Sequence, residues 1–291
     1  MEPLFPLPLA EWNAQPSAAQ RQQAIGALES GQVLFFPQLP FVLRAEESEL
    51  LSPALSNGRA KNISLDPRGK LKHIDVTPAQ HELLQAMMER FARDSVGLVS
   101  NLFPGYAAKL ERARTSYRPV EIAGRTYSPV KDDTRLHVDA FPTRPMRGRR
   151  ILRLFANINP NGKPRLWHVG EPFADMAAKI LPKVREPIAL TPFMLAAVGA
   201  TRGRRSAYDN LMLELHDNAK LDENYQRATV HNEIAFPAGS TWLCFTDQVM
   251  HAALAGQFVL EQTFHLDIDV MAEPARAPIK VLERMTGRTL A

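Results

Sequence analysis

The chain has 291 residues, of which 45% are hydrophobic and 23% charged, and its formal net charge is +4. This composition is that of an ordinary globular protein that can bury a sizeable core, and the charge is too small to indicate nucleic-acid binding. A single cysteine, Cys244, excludes an intrachain disulfide, and no apolar run reaches the roughly 18 residues of a membrane span. We therefore expect a protein of a reducing compartment, the cytoplasm.

The first third of the chain is predicted to be mostly helical. Capping boxes begin at Ser17 and Thr77, and the second has proline at the first helical position. A short apolar run at 33–36 predicts a buried strand, whereas 61–76 is polar and irregular. The predicted helices of this part are 17–30, 45–56 and 77–102.

After Pro104 the pattern changes to short strands. Ala123-Gly124 predicts a hairpin turn between strands at 113–122 and 125–127. The other predicted strands are 135–141, 150–158, 164–169, 233–236, 241–245, 250–253 and 258–269, and the predicted helical insertions are 173–181 and 205–220. Helices followed by many strands indicate an α+β protein built on an antiparallel β-core.

We predict a single domain over residues 1–291. In it, a mostly helical part (1–112) packs on a β-core with helical insertions (113–270). A double-stranded β-helix, the jelly-roll core of cupins, fits this order of elements. It would bring the strands that carry His137 and His251 to the mouth of the same barrel.

The chemistry that the sequence indicates is centred on His137 and Asp139. Residues two apart on a strand point to the same face, so the imidazole and the carboxylate can each give one ligand to a divalent metal. A further histidine would complete the two-His-one-carboxylate triad of non-haem Fe(II) oxygenases. His251, at the end of the β-rich run 240–251, is the candidate. The His-X-Asp spacing alone also arises by chance.

A facial iron site leaves room for 2-oxoglutarate and O₂, and the far carboxylate of the keto acid needs a buried cation. No arginine follows the second histidine before Arg276, so the usual position is not filled. Arg153 lies in an apolar strand, where its charge must be paired, and Arg118 is the second candidate. Asn157, on the same face as Arg153, and Gln262 are further candidates for the co-substrate pocket. The alternative for each arginine is a structural salt bridge.

Positive charge is concentrated in two parts of the chain. Between residues 135 and 153 there are six arginines and one acid, Asp139. The basic residues of the first cluster and its continuation are Arg135, Arg144, Arg147, Arg149, Arg150, Arg153, Lys163 and Arg165, and those of the second are Arg202, Arg204 and Arg205. Beside a metal site, such clusters indicate a substrate that carries phosphate or carboxylate. The alternative is a solvated surface.

Four segments of the sequence resemble the Kdo 3-hydroxylases. They are 134–141, 150–160, 236–242 and 245–264. The resemblance implies an Fe(II)-, 2-oxoglutarate- and O₂-dependent enzyme of lipopolysaccharide biosynthesis that hydroxylates C3 of the Kdo sugar on Kdo-lipid A, which gives Ko. It also implies that His137, Asp139 and His251 are the iron ligands, whereas Arg153 is inferred only from the burial of its charge.

The acceptor that this resemblance implies is anionic through sugar carboxylates and lipid phosphates. It lies in the cytoplasmic leaflet of the inner membrane, where the protein would dock peripherally. The apolar segment 4–9 is a candidate contact, and the alternative for this segment is packing in the core. Two alternatives stay open. One is a 2-oxoglutarate oxygenase acting on another anionic small molecule or glycan, and the other is a cupin-like metal- or sugar-binding protein that is not an oxygenase.

Overall fold

Two β-sheets form the centre of the molecule in the computed structural model, which describes residues 2–184 and 205–291. The strands are β1 (Leu4–Pro6), β2 (Val33–Phe36), β3 (Ile63–Leu65), β4 (Leu71–Lys72), β5 (Glu111–Arg118), β6 (Arg150–Asn157), β7 (Arg165–Val169), β8 (Asn232–Phe236), β9 (Thr241–Phe245), β10 (His251–Ala255) and β11 (Val259–Leu266). The larger sheet has the order β1-β2-β9-β6-β11-β5-β3-β4, and the smaller has the order β10-β7-β8. Apart from the parallel pair β1–β2, the strands pair antiparallel. The predicted double-stranded β-helix core with added helices is confirmed.

The two sheets pack on each other through aromatic side chains. Phe155 of β6 lies 5.0 Å from Trp167 of β7 and 5.2 Å from Trp242 of β9, measured between ring centroids. Side chains alternate along a strand, so Arg153, two residues before Phe155, also points between the sheets. The same space therefore holds an apolar cluster and a buried charge.

The outer face of the larger sheet is covered by the N-terminal helices. The helices are α1 (Ala18–Glu29), α2 (Pro78–Leu102), α3 (Pro104–Ala107), α4 (Phe173–Ile180), α5 (Ala207–Leu221), α6 (Glu223–Ala228) and α7 (Pro278–Thr286). The predicted capping boxes at Ser17 and Thr77 are present. Met87 and Phe91 of α2 are buried in one cluster with Leu154 of β6. No helix in the described part of the chain is both long and apolar enough to cross a membrane.

The N-terminal part contributes more strand than the sequence predicted. The segment 45–56 forms short 3₁₀ turns at Ala45–Leu50 and Pro53–Leu55 instead of an α-helix, and the polar segment 61–76 contains β3 and β4. Strands of two or three residues carry too little periodicity to be detected. They exist here because β3 pairs with the long strand β5. For the segment 4–9 the structure shows the core packing that was the alternative to a membrane contact, since the segment supplies β1 and Leu7 and Leu9 are buried in the core.

Two predicted strands are not strands. Residues 125–127 lie outside the sheets, because both edges of β5 are already paired with β3 and β11. The turn before them is instead held by Glu121, whose carboxylate accepts the N–H groups of Ile122 and Gly256. In the predicted strand 135–141, only His137 makes a β-bridge, and its partner is His251.

Candidate metal and co-substrate site

Three side chains that can bind a metal converge at one end of the space between the sheets. They are His137, Asp139 and His251, and their ligand atoms all lie within 4.8 Å of one another. His137 Nε2 lies 3.9 Å from Asp139 Oδ1. Both histidines are buried, and the side chain of Asp139 is 14% exposed. The sequence predicted that these three residues lie close together, and they do, but His137 and Asp139 are not in a continuous strand.

Backbone hydrogen bonds fix this convergence. His137 N–H donates to His251 O at 3.0 Å, and His251 N–H donates to His137 O at 2.9 Å. Asp139 N–H then donates to Thr246 O at 2.7 Å, in the loop between β9 and β10. One bridge and one loop contact therefore replace the predicted strand, while the spacing of two residues still brings Asp139 beside His137.

Contacts between Nδ1 and backbone carbonyls orient the two imidazoles. Nδ1 of His137 lies 2.7 Å from Arg135 O, and Nδ1 of His251 lies 2.8 Å from Val249 O. A ring nitrogen that faces a carbonyl this closely carries the hydrogen, so the lone pair of the neutral ring is on Nε2. Trp167 stacks on His251 with centroids 5.2 Å apart. Each imidazole thus presents Nε2 as a ready metal ligand.

The protonation states at neutral pH also suit a metal. Burial lowers the pKa of His137 well below its ordinary value, and it lowers the pKa of His251 as well. Burial alone would raise the pKa of Asp139, but the charge of the nearby Arg153 brings it below its ordinary value. Two neutral imidazoles and one carboxylate are the forms that coordinate metals.

A carboxylate oxygen without a hydrogen bond supports the fit of a cation here. Asp139 Oδ2 is buried and accepts no hydrogen bond from the residues that the structure describes, and it forms an ion pair with Arg153 Nη2 at 3.2 Å. Buried polar atoms normally have a hydrogen-bond partner, and a bound cation would take the place of one. Two imidazoles and one carboxylate form the donor set of non-haem Fe(II) sites. The residues present therefore fit iron.

A cavity of about 240 Å³ begins at Arg153 and opens to the surface between β5, β11 and residues 141–144. Its charged or titratable lining side chains are Arg114, Arg118, Arg144, Arg153, Glu261 and His265. Four arginines against one carboxylate suit an anionic small molecule. The cavity thus adjoins the candidate metal site, and its lining is positively charged, whereas a keto acid is negatively charged.

Both arginines that the sequence singled out line this cavity. Arg118 donates from Nε at 3.0 Å and from Nη2 at 2.5 Å to Oε2 of Glu261. Arg153 Nη1 lies 3.4 Å from Oε1 of the same carboxylate, and Arg153 Nε is buried without a hydrogen-bond partner in the described part of the chain. Burial alone would lower the pKa of Arg153, but Asp139 and Glu261 raise it, so the guanidinium stays charged.

The structure does not bring the two predicted amide residues to this site. Gln262 is fully buried on the opposite face of β11, where it accepts from Thr115 Oγ1 at 2.6 Å and donates to a backbone carbonyl. Asn157 does point to the same side of β6 as Arg153, but its amide is used at the far end of the strand. It donates to Phe236 O at 3.1 Å and to Lys163 O at 3.0 Å.

The sequence did not predict that Glu261 lines the cavity, nor that Arg165 is a buried arginine with no ion pair among the described residues. Arg165 is buried and donates from Nη1 to Gly256 O at 2.7 Å, and no residue that the structure describes accepts a hydrogen bond from its Nε. Burial and the neighbouring Arg118 lower the pKa of Arg165 to about 9. Arg153 was predicted from its charged side chain within an apolar strand. The same pattern could have identified Glu261, which follows Val259 and Leu260 in β11.

Most arginines of the first basic cluster are engaged in salt bridges. Arg135 pairs with Glu223 at 2.6 Å, Arg150 with Asp247 at 2.8 Å, and Arg149 with Asp267 at 2.9 Å. In the second cluster, Arg205 donates to Pro142 O, and Arg202 and Arg204 lie outside the described residues. The clusters are therefore not continuous anion-binding surfaces within the part of the chain that the structure describes.

Comparisons with known proteins agree with this chemistry. The sequence model of the 3-deoxy-D-manno-oct-2-ulosonic acid (Kdo) hydroxylase family matches residues 11–289. A cobalt(II) complex of the Kdo hydroxylase KdoO, a non-haem Fe(II) α-ketoglutarate-dependent dioxygenase, is 48% identical over 99% of this chain and 97% of that chain, with a TM-score of 0.97. A KdoO complex with α-ketoglutarate and Fe(III) is 46% identical over 100% and 98%, with a TM-score of 0.96. No match was found among curated proteins.

Proposed function

The chain belongs to the Kdo hydroxylase family, and from this premise we propose that it converts the Kdo sugar of Kdo-lipid A to its 3-hydroxy form, Ko. It is an Fe(II)- and 2-oxoglutarate-dependent dioxygenase. The observation that carries the proposal is the convergence of His137, Asp139 and His251 beside a cavity lined by arginines. A cupin-like protein that only bound a sugar would not need this combination.

We assign the iron to His137, Asp139 and His251, and the far carboxylate of 2-oxoglutarate to Arg153 and Arg118. When bound, iron and 2-oxoglutarate supply the O₂-dependent oxidation that introduces the hydroxyl group. Arg153 is suited to its role because it lies between Asp139 and the cavity and because its Nε donates to no residue that the structure describes. A guanidinium can hold a carboxylate through two parallel charge-assisted hydrogen bonds.

The protein also provides a dry wall on one side of the site. Trp167 stacks on His251 and packs at a right angle to Phe155, and both aromatic side chains are buried. Phe141 lies over Arg153, with the guanidinium carbon 5.7 Å from its ring centroid. Apolar rings around charged groups exclude water and strengthen the electrostatic interactions at the site.

An anionic acceptor would meet positive charge at the cavity opening. Arg114 lines the cavity and is exposed, and its guanidinium makes no ion pair or hydrogen bond with the residues that the structure describes. Arg144 also lines it, 41% exposed and 3.1 Å from Glu111. We infer that these two arginines receive the carboxylate or phosphate groups of the acceptor, and that a cytoplasmic enzyme reaches its lipid by peripheral contact with the inner membrane.

The test is succinate release from 2-oxoglutarate by the anaerobically Fe(II)-loaded protein after O₂ is admitted, with and without Kdo₂-lipid A. Wild type is run beside His137→Ala and beside His231→Ala, which changes an exposed histidine directly before β8. The proposal expects turnover that the acceptor stimulates, that His137→Ala abolishes and that His231→Ala leaves unchanged. Turnover that ignores the acceptor would contradict the lipid A assignment. Bound iron without any turnover would favour a binding protein instead.

A further inference from the structure

Glu261 occupies an unusual position in the cavity wall. It is 2% exposed, and it is the one carboxylate that lines the cavity among the residues described. Oε2 accepts both Nε and Nη2 of Arg118, at 3.0 and 2.5 Å, and Oε1 lies 3.4 Å from Nη1 of Arg153. Thr263 Oγ1 donates to Oε1 at 3.3 Å. One carboxylate thus joins the two arginines.

The register of three neighbouring strands produces this arrangement. β11 lies between β5 and β6, and Glu261 is its central residue on the cavity face. Arg118 of β5 pairs opposite Val259, and Arg153 of β6 pairs opposite Thr263, two residues to either side of Glu261. Diagonal neighbours on one face of a sheet are within reach of long side chains. Glu261 can therefore hold one arginine on each side.

The charges in this group are balanced for one further anion. Burial alone would raise the pKa of Glu261, but Arg118 and Arg153 bring it below its ordinary value, so the carboxylate is ionised at neutral pH. Buried guanidinium groups require a partner, and Glu261 supplies one to both in the absence of a ligand. Asp139, which also faces Arg153 at 3.2 Å, is assigned to the metal. Apart from it, two arginines and one glutamate leave one positive charge, which matches a single carboxylate.

The contacts also leave donors for that carboxylate. Glu261 engages Nε and Nη2 of Arg118 but not Nη1, and it engages Nη1 of Arg153 but not Nε. Arg153 Nε is buried and has no hydrogen-bond partner among residues 2–184 and 205–291. We propose that Glu261 is a positioning residue. It fixes Arg118 and Arg153 so that their remaining N–H groups receive the far carboxylate of 2-oxoglutarate together. This inference rests on the proposed function of the site.

The experiment compares two keto acids that differ only at the far end. Anaerobic Fe(II)-loaded full-length protein is titrated by calorimetry with 2-oxoglutarate and with 2-oxobutyrate, which has no far carboxylate. Glu261→Gln keeps the size of the side chain and removes its charge. Losing an outer-shell group that orients ligand-binding residues costs roughly 10–100-fold in affinity. We expect this weakening for 2-oxoglutarate and no change for 2-oxobutyrate.

Two further variants make the comparison decisive. Glu261→Asp keeps the charge on a shorter side chain, and we expect it to weaken 2-oxoglutarate binding less than Glu261→Gln does. It also serves as the test if the Gln variant does not fold. Glu111→Gln is the matched control, because Glu111 also pairs with two arginines, Arg144 and Arg149, but is 44% exposed and does not line the cavity. We expect it to leave both affinities unchanged.

Three outcomes would overturn the inference. Equal weakening of both keto acids would mean that Glu261 only stabilises the fold. Tighter binding of 2-oxoglutarate by Glu261→Gln would mean that the carboxylate competes with the ligand for the arginines. Wild-type protein that binds iron but not 2-oxoglutarate would refute the proposed function itself, and the inference with it. The first two results leave the proposed function intact, so the two failures are distinguishable.

Discussion

Replacing Arg150 by methionine should destabilise the protein far more than the same replacement at the adjacent Arg149. The side chain of Arg150 is fully buried, and its Nε lies 2.8 Å from Oδ2 of Asp247. Its Nη2 donates to Gln248 at 2.6 Å, and the guanidinium carbon lies 3.7 Å from the ring centroid of Phe245. Methionine fills a similar volume but leaves the carboxylate of Asp247, 1% exposed, without its cation.

The expected magnitudes follow from burial. Removing one partner of a buried ion pair costs about 3–5 kcal/mol of unfolding free energy, because the other charge stays buried and unpaired. Arg149 is 32% exposed and pairs with Glu111 at 2.8 Å and Asp267 at 2.9 Å. Exposed pairs of this kind contribute about 0–1 kcal/mol each. Because Arg149 makes two such pairs, the two single variants should differ by at least about 1 kcal/mol.

Urea unfolding of both variants, followed by circular dichroism in the absence of metal, measures this difference. The double variant Arg150→Met/Asp247→Leu removes both charges, so it should regain much of the stability that Arg150→Met loses. Equal losses at positions 149 and 150 would refute the argument from burial. A double variant less stable than Arg150→Met would show that the loop at Asp247 needs its carboxylate for another reason.

Three other features give predictions of their own. Burial lowers the pKa of His265 to about 4 in the folded protein, whereas the same imidazole is protonated near pH 6.5 in the unfolded chain. The unfolded state therefore binds the proton more readily, and the free energy of unfolding falls as the pH drops. Between pH 7 and pH 5, His265→Gln should lose about 2 kcal/mol less of this free energy than wild type in urea titrations. Gly256 has φ +110°, and an added Cβ would lie 3.0 Å from Pro164 O; Gly256→Ala should therefore lower the free energy of unfolding by about 1–3 kcal/mol, and more than Gly162→Ala, where the space is open. Cys244 is fully buried, and burial raises the pKa of its thiol; a thiol reagent should label it in urea but not in the native protein, and rapid native labelling would contradict its position in β9.

Local signals in the sequence predicted the helices and long strands well. The capping boxes at Ser17 and Thr77 act within four residues, so the start of each helix is decided by the adjacent sequence. β3 and β4 could not be predicted in this way, since they depend on pairing with the distant β5. The predicted strand at 125–127 failed for the same reason, because whether an edge of β5 is free depends on strand order.

The candidate site also has a part that local sequence predicts and a part that depends on strand order. His137 and Asp139 are two residues apart, and a third ligand could be sought among few histidines, so the sequence was enough to assemble the triad that the structure brings together. The contact between Arg118, Arg153 and Glu261 requires the order β5-β11-β6, which no local pattern contains. A strand prediction gives the face of each side chain but not its neighbour on the next strand.

The arginines make clear why charge density alone was a poor guide to ligand binding. Arg149, Arg150 and Arg153 lie within five residues, yet the structure gives each a different partner and a different burial. Arg150 is paired with Asp247, whereas the buried Nε of Arg153 has no hydrogen-bond partner among the described residues. Arg114, outside the sequence cluster, is the cavity arginine whose guanidinium has no protein partner in the described chain. An arginine can bind a ligand when some of its N–H groups do not donate to the acidic side chains on its own face of the sheet. Which acidic side chains lie there depends on the packing of distant strands.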